Sequence, residues 1–311
     1  MKKIFMCLVI ASLAIGAYPQ TTIVKHEWRV TVKVIDEFGQ PIVGAKTSVG
    51  YFTNSIGTAI SGLTDTNGCF LASHYASSGE LGFAAEMNDY YPTRKSAYDL
   101  GFTYDPAIWN PKILLVLKKI GSPIPMHAKR EEIKFPTEDE PIGFDLMIGD
   151  WVAPYGRGEN IDMIFTVHRN LISEREYSAN LAVTFPNRGD GIAIAPSEPD
   201  TGSDFKTPRV AAENGYEPQL ILRYNNTRHP ESVFGYFIRV RTVLDENGNV
   251  KNALYGKIRG DFRFYAGTKA PHAGMGFDYY LNPIPNSRNV EFDPKRNLMK
   301  NLKPLEGVEA P

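Results

Sequence analysis

From Arg29 to Val34 the chain alternates strictly, with Val30, Val32 and Val34 set between Arg29, Thr31 and Lys33. A repeat of two puts successive side chains on opposite faces, so these valines can share one buried face only if the segment is a strand. The strand must stop after Asp36. There Glu37-Phe38-Gly39-Gln40-Pro41 joins a glycine free to take positive φ to a proline with no amide hydrogen. The same grammar recurs along the chain. A second extended run covers 45–52, and Thr64-Asp65-Thr66-Asn67-Gly68 makes a turn before the extended residues 69–72. Further on, Asp245-Glu246-Asn247-Gly248-Asn249 separates two long strand-like arms, 233–244 and 251–265, and its Asn-Gly is the firmest hairpin signal in the chain. With 27 glycines, 22 prolines and little helical periodicity, the predicted fold class is all-β.

The N-terminus carries a separate message. Lys2 and Lys3 precede an uncharged apolar run, residues 4–17, that ends in small residues. It is shorter than the roughly 20 residues a spanning helix needs, so residues 1–20 read as a secretory signal peptide cleaved between about 18 and 22. Cys7 lies inside the run, not after it, which argues against lipid attachment. Removing the signal takes two lysines from the 34 basic residues, leaving 32 against 35 acidic ones, a net charge of −3, and Cys69 as the only thiol. No intramolecular disulfide can form, so stability has to come from apolar burial over roughly 290 residues. The charge balance offers no basic field for nucleic acid, and no later segment has the length and apolarity of a transmembrane span. The expected location is periplasmic, cell-surface or extracellular.

Residues 24–120 carry a pattern with a known relative. Val32, Val34, Asp36, Gly39, Pro41, Gly44 and Ala45 are followed by Thr64, Asp65, Gly68 and Phe70, then by Tyr90 and Tyr91. This order resembles the carboxypeptidase regulatory-like family. The resemblance implies a seven-stranded immunoglobulin- or transthyretin-like sandwich, closed by the apolar strand 113–117, that serves as a spacer or adhesion module. Residues 98–111 depart from the family pattern as an insertion.

Gly121-Ser122-Pro123-Ile124-Pro125 suits neither helix nor central strand, and residues 121–130 read as a semi-stiff linker. Strand-like segments then recur at 144–148, 161–168, 177–185, 191–195, 219–224, 234–243 and 276–281. Joined by Pro/Gly-rich loops, they predict a larger jelly-roll-like sandwich over 131–290, followed by a tail, 291–311. Residues 143–145, 149–151 and 279–283 resemble stretches of uncharacterised exported proteins, a resemblance that implies no activity.

Chemistry is harder to find. The six histidines, at 26, 74, 127, 168, 229 and 272, show no metal-ligand spacing, and no Gly-x-Ser-x-Gly occurs. No cofactor is expected unless it is calcium, for which Glu198, Asp200 and Asp204 in one loop supply hard oxygens; the EF-hand spacing and its distal Glu are absent, which favours a solvated acidic loop. Asp36, Asp65 and Asn67 sit at turns, where such side chains bond their own backbone. Gly156-Arg157-Gly158 reads as a turn, and Cys69 as a small buried residue. Carboxylates for glycoside hydrolysis could be drawn from Asp145, Asp150, Glu159 and Asp162. Trp151, Tyr155 and Arg157 share one loop-like stretch and could stack on and bond a sugar, but large aromatics are mostly buried, which favours Trp151 closing the core with Tyr155 as a packing residue. The function expected is a non-enzymatic binding or scaffolding protein with glycans or other surface proteins as partners. The alternative is a secreted polysaccharide hydrolase with the second domain catalytic.

Overall fold

A computed structural model describes residues 26–53, 56–76, 80–96, 110–196, 201–227, 230–267 and 269–311. Residues 1–20, read above as a signal peptide, and nearly all of 98–111, read as an insertion, lie outside them. The described residues form an all-β structure of four sheets, paired as two sandwiches, with one short 3-10 turn, Pro294–Arg296.

The first sandwich uses β1 (His26–Asp36), β2 (Lys46–Thr53), β3 (Ile56–Leu63), β4 (Cys69–Ala76), β5 (Glu80–Glu86), β6 (Tyr90–Tyr91), β7 (Thr93–Ser96) and β8 (Lys112–Lys119). Its sheets run β4-β1-β8-β6 and β3-β2-β5-β7. Eight strands stand where seven are expected, because Pro92 interrupts one of them: β6 pairs with β8 on one sheet, and β7 with β5 on the other. A residue without an amide hydrogen cannot continue a ladder, so the chain changes sheets there. Val30, Val32 and Val34 meet Val49, Phe83 and Leu115 in the core. That is the face the period-two pattern selected.

The second sandwich uses β9 (His127–Lys134), β10 (Ile142–Asp145), β11 (Asp150–Trp151), β12 (Met163–Ser173), β13 (Glu176–Thr184), β14 (Gly191–Ile194), β15 (Gln219–Asn225), β16 (Gly235–Leu244), β17 (Val250–Tyr265) and β18 (Gly274–Leu281). Its sheets are β11-β10-β12-β13-β15 and β14-β16-β17-β18-β9. Between them lies an aromatic core of Phe144, Phe165, Phe262, Phe277 and Tyr279.

Two boundaries differ from those read in the sequence. The linker 121–130 ends inside β9, and Ile124 bridges to Phe292, so the segment is held at both ends. The tail 291–311 is part of the fold: Phe292 and Val308 pack with Tyr280 and Phe237 on the outer face of the β16-β17-β18 sheet. Both faces of that sheet are therefore covered, and seven of the eight residues of β18 are buried. The two sandwiches also touch. Tyr91 stacks on Phe205 at 5.1 Å and donates its hydroxyl to Glu291 at 2.8 Å, while Arg209 holds both oxygens of Glu37 at 2.8 and 3.0 Å.

Candidate functional site

The Trp151 stretch does not form the aromatic binding surface its sequence suggested. Trp151 is 6% exposed, its ring 5.3 Å from Phe144, 5.5 Å from Phe135 and 5.8 Å from Phe165. β11 pairs Trp151 with Phe144 of β10, and that pairing places its indole with the apolar set between the sheets. Tyr155 is 43% exposed, and the Arg157 guanidinium stands in solvent while donating from Nε to Asp150 at 3.1 Å. A tyrosine and a paired arginine remain outside, without the large ring that was to stack on a sugar.

The acidic candidates are spoken for where they are described. Asp145 and Asp162 are both buried, and both accept from Arg241, so they share one guanidinium instead of facing across a cleft. Asp145 also receives the backbone N–H groups of Met147, Ile148, Glu159 and Asn160. Burial works against its charge, but these bonds outweigh it and hold its carboxyl below the usual range. Glu198 and Asp200 lie outside the described residues, and Asp204 pairs with Arg94 at 3.1 Å. Among the described residues, no three His, Cys, Asp or Glu side chains are grouped to hold a metal ion. Asp36 and Asp65 each close their own turn, accepting two backbone N–H groups apiece. Cys69 is half-buried beside one of those turns, not in the core.

The stronger candidate lies on the outer face of the sheet that contains β12, β13 and β15. Antiparallel register sets His168 opposite Asn180 and Asn180 opposite Arg223; one step along, it sets Asn170 opposite Ser178 and Ser178 opposite Asn225. Alternation fixes which side chains look outward. Val167, Ala179, Leu181, Leu222 and Tyr224 turn into the core, so their neighbours form two polar rows across three strands. Strands about 4.8 Å apart, with like-facing residues about 6.8 Å apart along each, spread these rows over an area about 10 Å by 7 Å.

The rows floor a hollow of about 450 Å³, with Asp139 at its edge. Asp139 is placed by its own backbone N–H, which donates to the Val167 carbonyl at 2.7 Å, and its carboxylate lies 2.6 Å from His168 Nδ1. Beneath the hollow, Arg169 is nearly enclosed and holds the surrounding loops together. It contacts Glu138 at 3.0 Å and donates to the carbonyls of Ala266 and Pro271 at 3.4 and 2.8 Å. Tyr224 anchors β15 by donating its hydroxyl to the Phe262 carbonyl at 3.2 Å. The frame is therefore fixed by bonds that do not use the outward side chains. The side chains of Asn170, Ser178, Asn180 and Arg223 make no hydrogen bond or ion pair with other described residues.

Other hollows are differently furnished. The one of about 580 Å³ around Arg239 and Arg288 is polar, but Arg239 donates to the Gly189 carbonyl at 2.6 Å and lies 4.5 Å from the Tyr216 ring, while Arg288 donates to the Ala211 carbonyl at 3.0 Å. Arg239 and Arg288 are structural, while the exposed Arg188 beside them has no hydrogen-bond or ion-pair partner among the described residues. The one of about 400 Å³ on the first sandwich is floored by Ser48, Gly50, Gly82 and Ala84, which offer little to a ligand.

The polar rows were missed in the sequence because each strand alone shows only the ordinary wet side of an amphipathic strand. What makes them a site is the pairing of β13 with β15 across the long excursion that contains β14, and register over that distance leaves no local signal.

Fold and site together define a two-sandwich all-β protein with an uncommitted polar sheet face. No family model matches the sequence, and no curated protein matches it. A solved structure of a DUF3823 family protein from Parabacteroides merdae ATCC 43184 is similar over 86% of this chain and 98% of that one, at 8% identity and a TM-score of 0.20. A superposition that loose carries no functional assignment.

Proposed function

We propose that this is an exported, non-enzymatic binding or scaffolding protein of the cell surface or extracellular space, whose second sandwich binds a glycan on the β12-β13-β15 face. The observation that carries the reading is the free hydrogen-bonding capacity of Asn170, Ser178 and Asn180 around one hollow on a rigid sheet. Side-chain amides and hydroxyls both donate and accept, as sugar hydroxyls do, so a polyhydroxylated ligand can satisfy them in pairs. In this reading the first sandwich is a spacer, the role its resemblance to the carboxypeptidase regulatory-like family implies. The site calls for no cofactor. The hydrolase alternative draws no support from Asp145 and Asp162, which are engaged with Arg241.

A glycan-array screen of the full-length exported protein tests this, run beside Asn170→Ala and Asn180→Ala. Both positions are exposed, so the variants should fold as the parent does and lose the glycans that the parent retains. Failure of the parent to retain any glycan, or equal retention by both variants, would overturn the reading.

A further inference from the structure

Arg223 separates this face from a neutral sugar-binding surface. It stands in the middle of β15, opposite Asn180 and, through it, in line with His168. Its guanidinium has no hydrogen-bond or ion-pair partner among the described residues. The other arginine at the hollow, Arg169, is paired with Glu138 and capped by carbonyls. The carboxylate at the edge, Asp139, is already 2.6 Å from His168. The hollow therefore presents one guanidinium with no partner of its own, flanked by free amide and hydroxyl groups. A fork of N–H donors fixed on a rigid strand matches a planar two-oxygen anion, which it can bond in parallel.

We infer that the ligand of this face is an acidic glycan, whose uronic-acid carboxylate pairs with Arg223 while Asn170, Ser178 and Asn180 bond the ring hydroxyls. This rests on the glycan reading above and narrows it to one substrate class. The chain as a whole is slightly acidic, with a formal net charge of −1, so no overall field draws a polyanion in. Recognition is local, by one cation, and its dependence on salt is correspondingly shallow.

The test is titration calorimetry of the full-length protein against polygalacturonate, fully methyl-esterified polygalacturonate, dextran and dextran sulfate, each at two salt concentrations. The parent should bind the free acid at least ten-fold more tightly than its methyl ester. Arg223→Gln should abolish that preference, Arg223→Lys should keep only part of it, and Arg188→Gln, at the other polar hollow, should leave it intact. Equal binding of acid and ester, or an Arg223→Gln variant that still prefers the acid, overturns the carboxylate inference while leaving the glycan reading standing. Binding of dextran sulfate without preference for acid over ester points to sulfate and overturns it too. No binding to any of the four probes by a protein whose array screen is also blank takes both readings down together. Because Arg223 is exposed and makes no bond within the protein, an unchanged melting temperature in Arg223→Gln confirms that lost affinity is not lost fold.

Discussion

Arg241 grips Asp162 with two nitrogens, Nε to Oδ1 at 2.7 Å and Nη2 to Oδ2 at 3.0 Å, and the same Nη2 reaches Asp145 at 3.3 Å. Arg241 lies in β16 at a bulge, with φ at +54°, and Asp162 directly precedes β12 on the opposing sheet. One side chain thus ties the two sheets of the second sandwich at their end. Asp162 is fully buried, so removing the guanidinium leaves its charge without a counter-ion, held only by the Leu146 N–H at 2.9 Å. Arg241→Met should lower stability by about 3 kcal/mol, the low end for breaking a buried ion pair, since Arg241 itself is partly wet. Arg241→Lys should recover only a fraction, because a point charge cannot fork to two carboxylates. Urea unfolding checks both, and a loss under about 0.5 kcal/mol in Arg241→Met would show that the tie carries no stability.

Trp151 and Tyr155 should separate cleanly. Trp151→Ala removes a buried indole among Phe135, Phe144 and Phe165 and should cost about 3–5 kcal/mol. Tyr155→Ala should stay within about 0.5 kcal/mol, as exposed positions do. Thermal unfolding of the pair decides it, and a Tyr155→Ala loss as large as that of Trp151→Ala would overturn the placement of this loop.

Lys257 gives a pH dependence with a definite sign. Its ammonium is wholly buried, 3.2 Å from Thr207 Oγ1 and 4.9 Å from the centroids of both the Phe205 and Tyr280 rings. Burial, reinforced by the nearby charge of Arg259, pushes its pKa down to about 7. In the unfolded chain a lysine titrates near pH 10.4. Between about pH 7 and 10.4 the unfolded state therefore binds more protons, and this group's contribution to stability rises with pH through that window and is lost as pH falls toward 7. Lys257→Met keeps the stem between the two rings and drops the charge. It should stabilise the protein most at pH 7, with the advantage shrinking as pH approaches 10. A constant difference across that range in denaturant titrations would show that Lys257 does not titrate abnormally.

Lys257 also shows where sequence reading stops. Along β17 it occupies what alternation marks as a wet position, and nothing local says otherwise. Its cover comes from Phe205, in the excursion before β15, and from Tyr280 on β18, under the C-terminal segment. Many of the strands were legible, β12, β13 and β15 among them, because each buries at least one face and carries the period to prove it, whereas β3, β5 and β9 were not read in the sequence. What covers a second face, and which outward rows meet across strands, depends on contacts between residues far apart in the chain. That is why Val30, Val32 and Val34 could be placed from sequence, while the row of His168, Asn180 and Arg223 could not.

The three Asp-x-x-Gly turns offer a graded test of local against tertiary cost. Asp36, Asp65 and Asp245 build the same loop. In each, Oδ1 accepts the N–H groups of the residues two and four positions later at 2.8–2.9 Å, and the carbonyl accepts from the glycine. Gly39, Gly68 and Gly248 sit at φ of +83°, +72° and +82°, the left-handed region that closes a three-residue hairpin loop. An added side chain therefore strains all three backbones alike, by about 1 kcal/mol for alanine. Their surroundings differ. A Cβ on Gly39 would meet nothing within 4 Å, and one on Gly248 would come only within 3.8 Å of an Arg188 nitrogen. On Gly68 it would lie 2.5 Å from the Val34 carbonyl oxygen, a backbone atom already accepting from Ile42, so the two strands would have to move apart. Gly39→Ala and Gly248→Ala should thus each cost about 1 kcal/mol, while Gly68→Ala should cost at least twice that, the excess being a steric term of the kind overpacked sites show. Equal losses in all three, measured by urea unfolding with unchanged m, would mean that Gly68 is not held against Val34 as described.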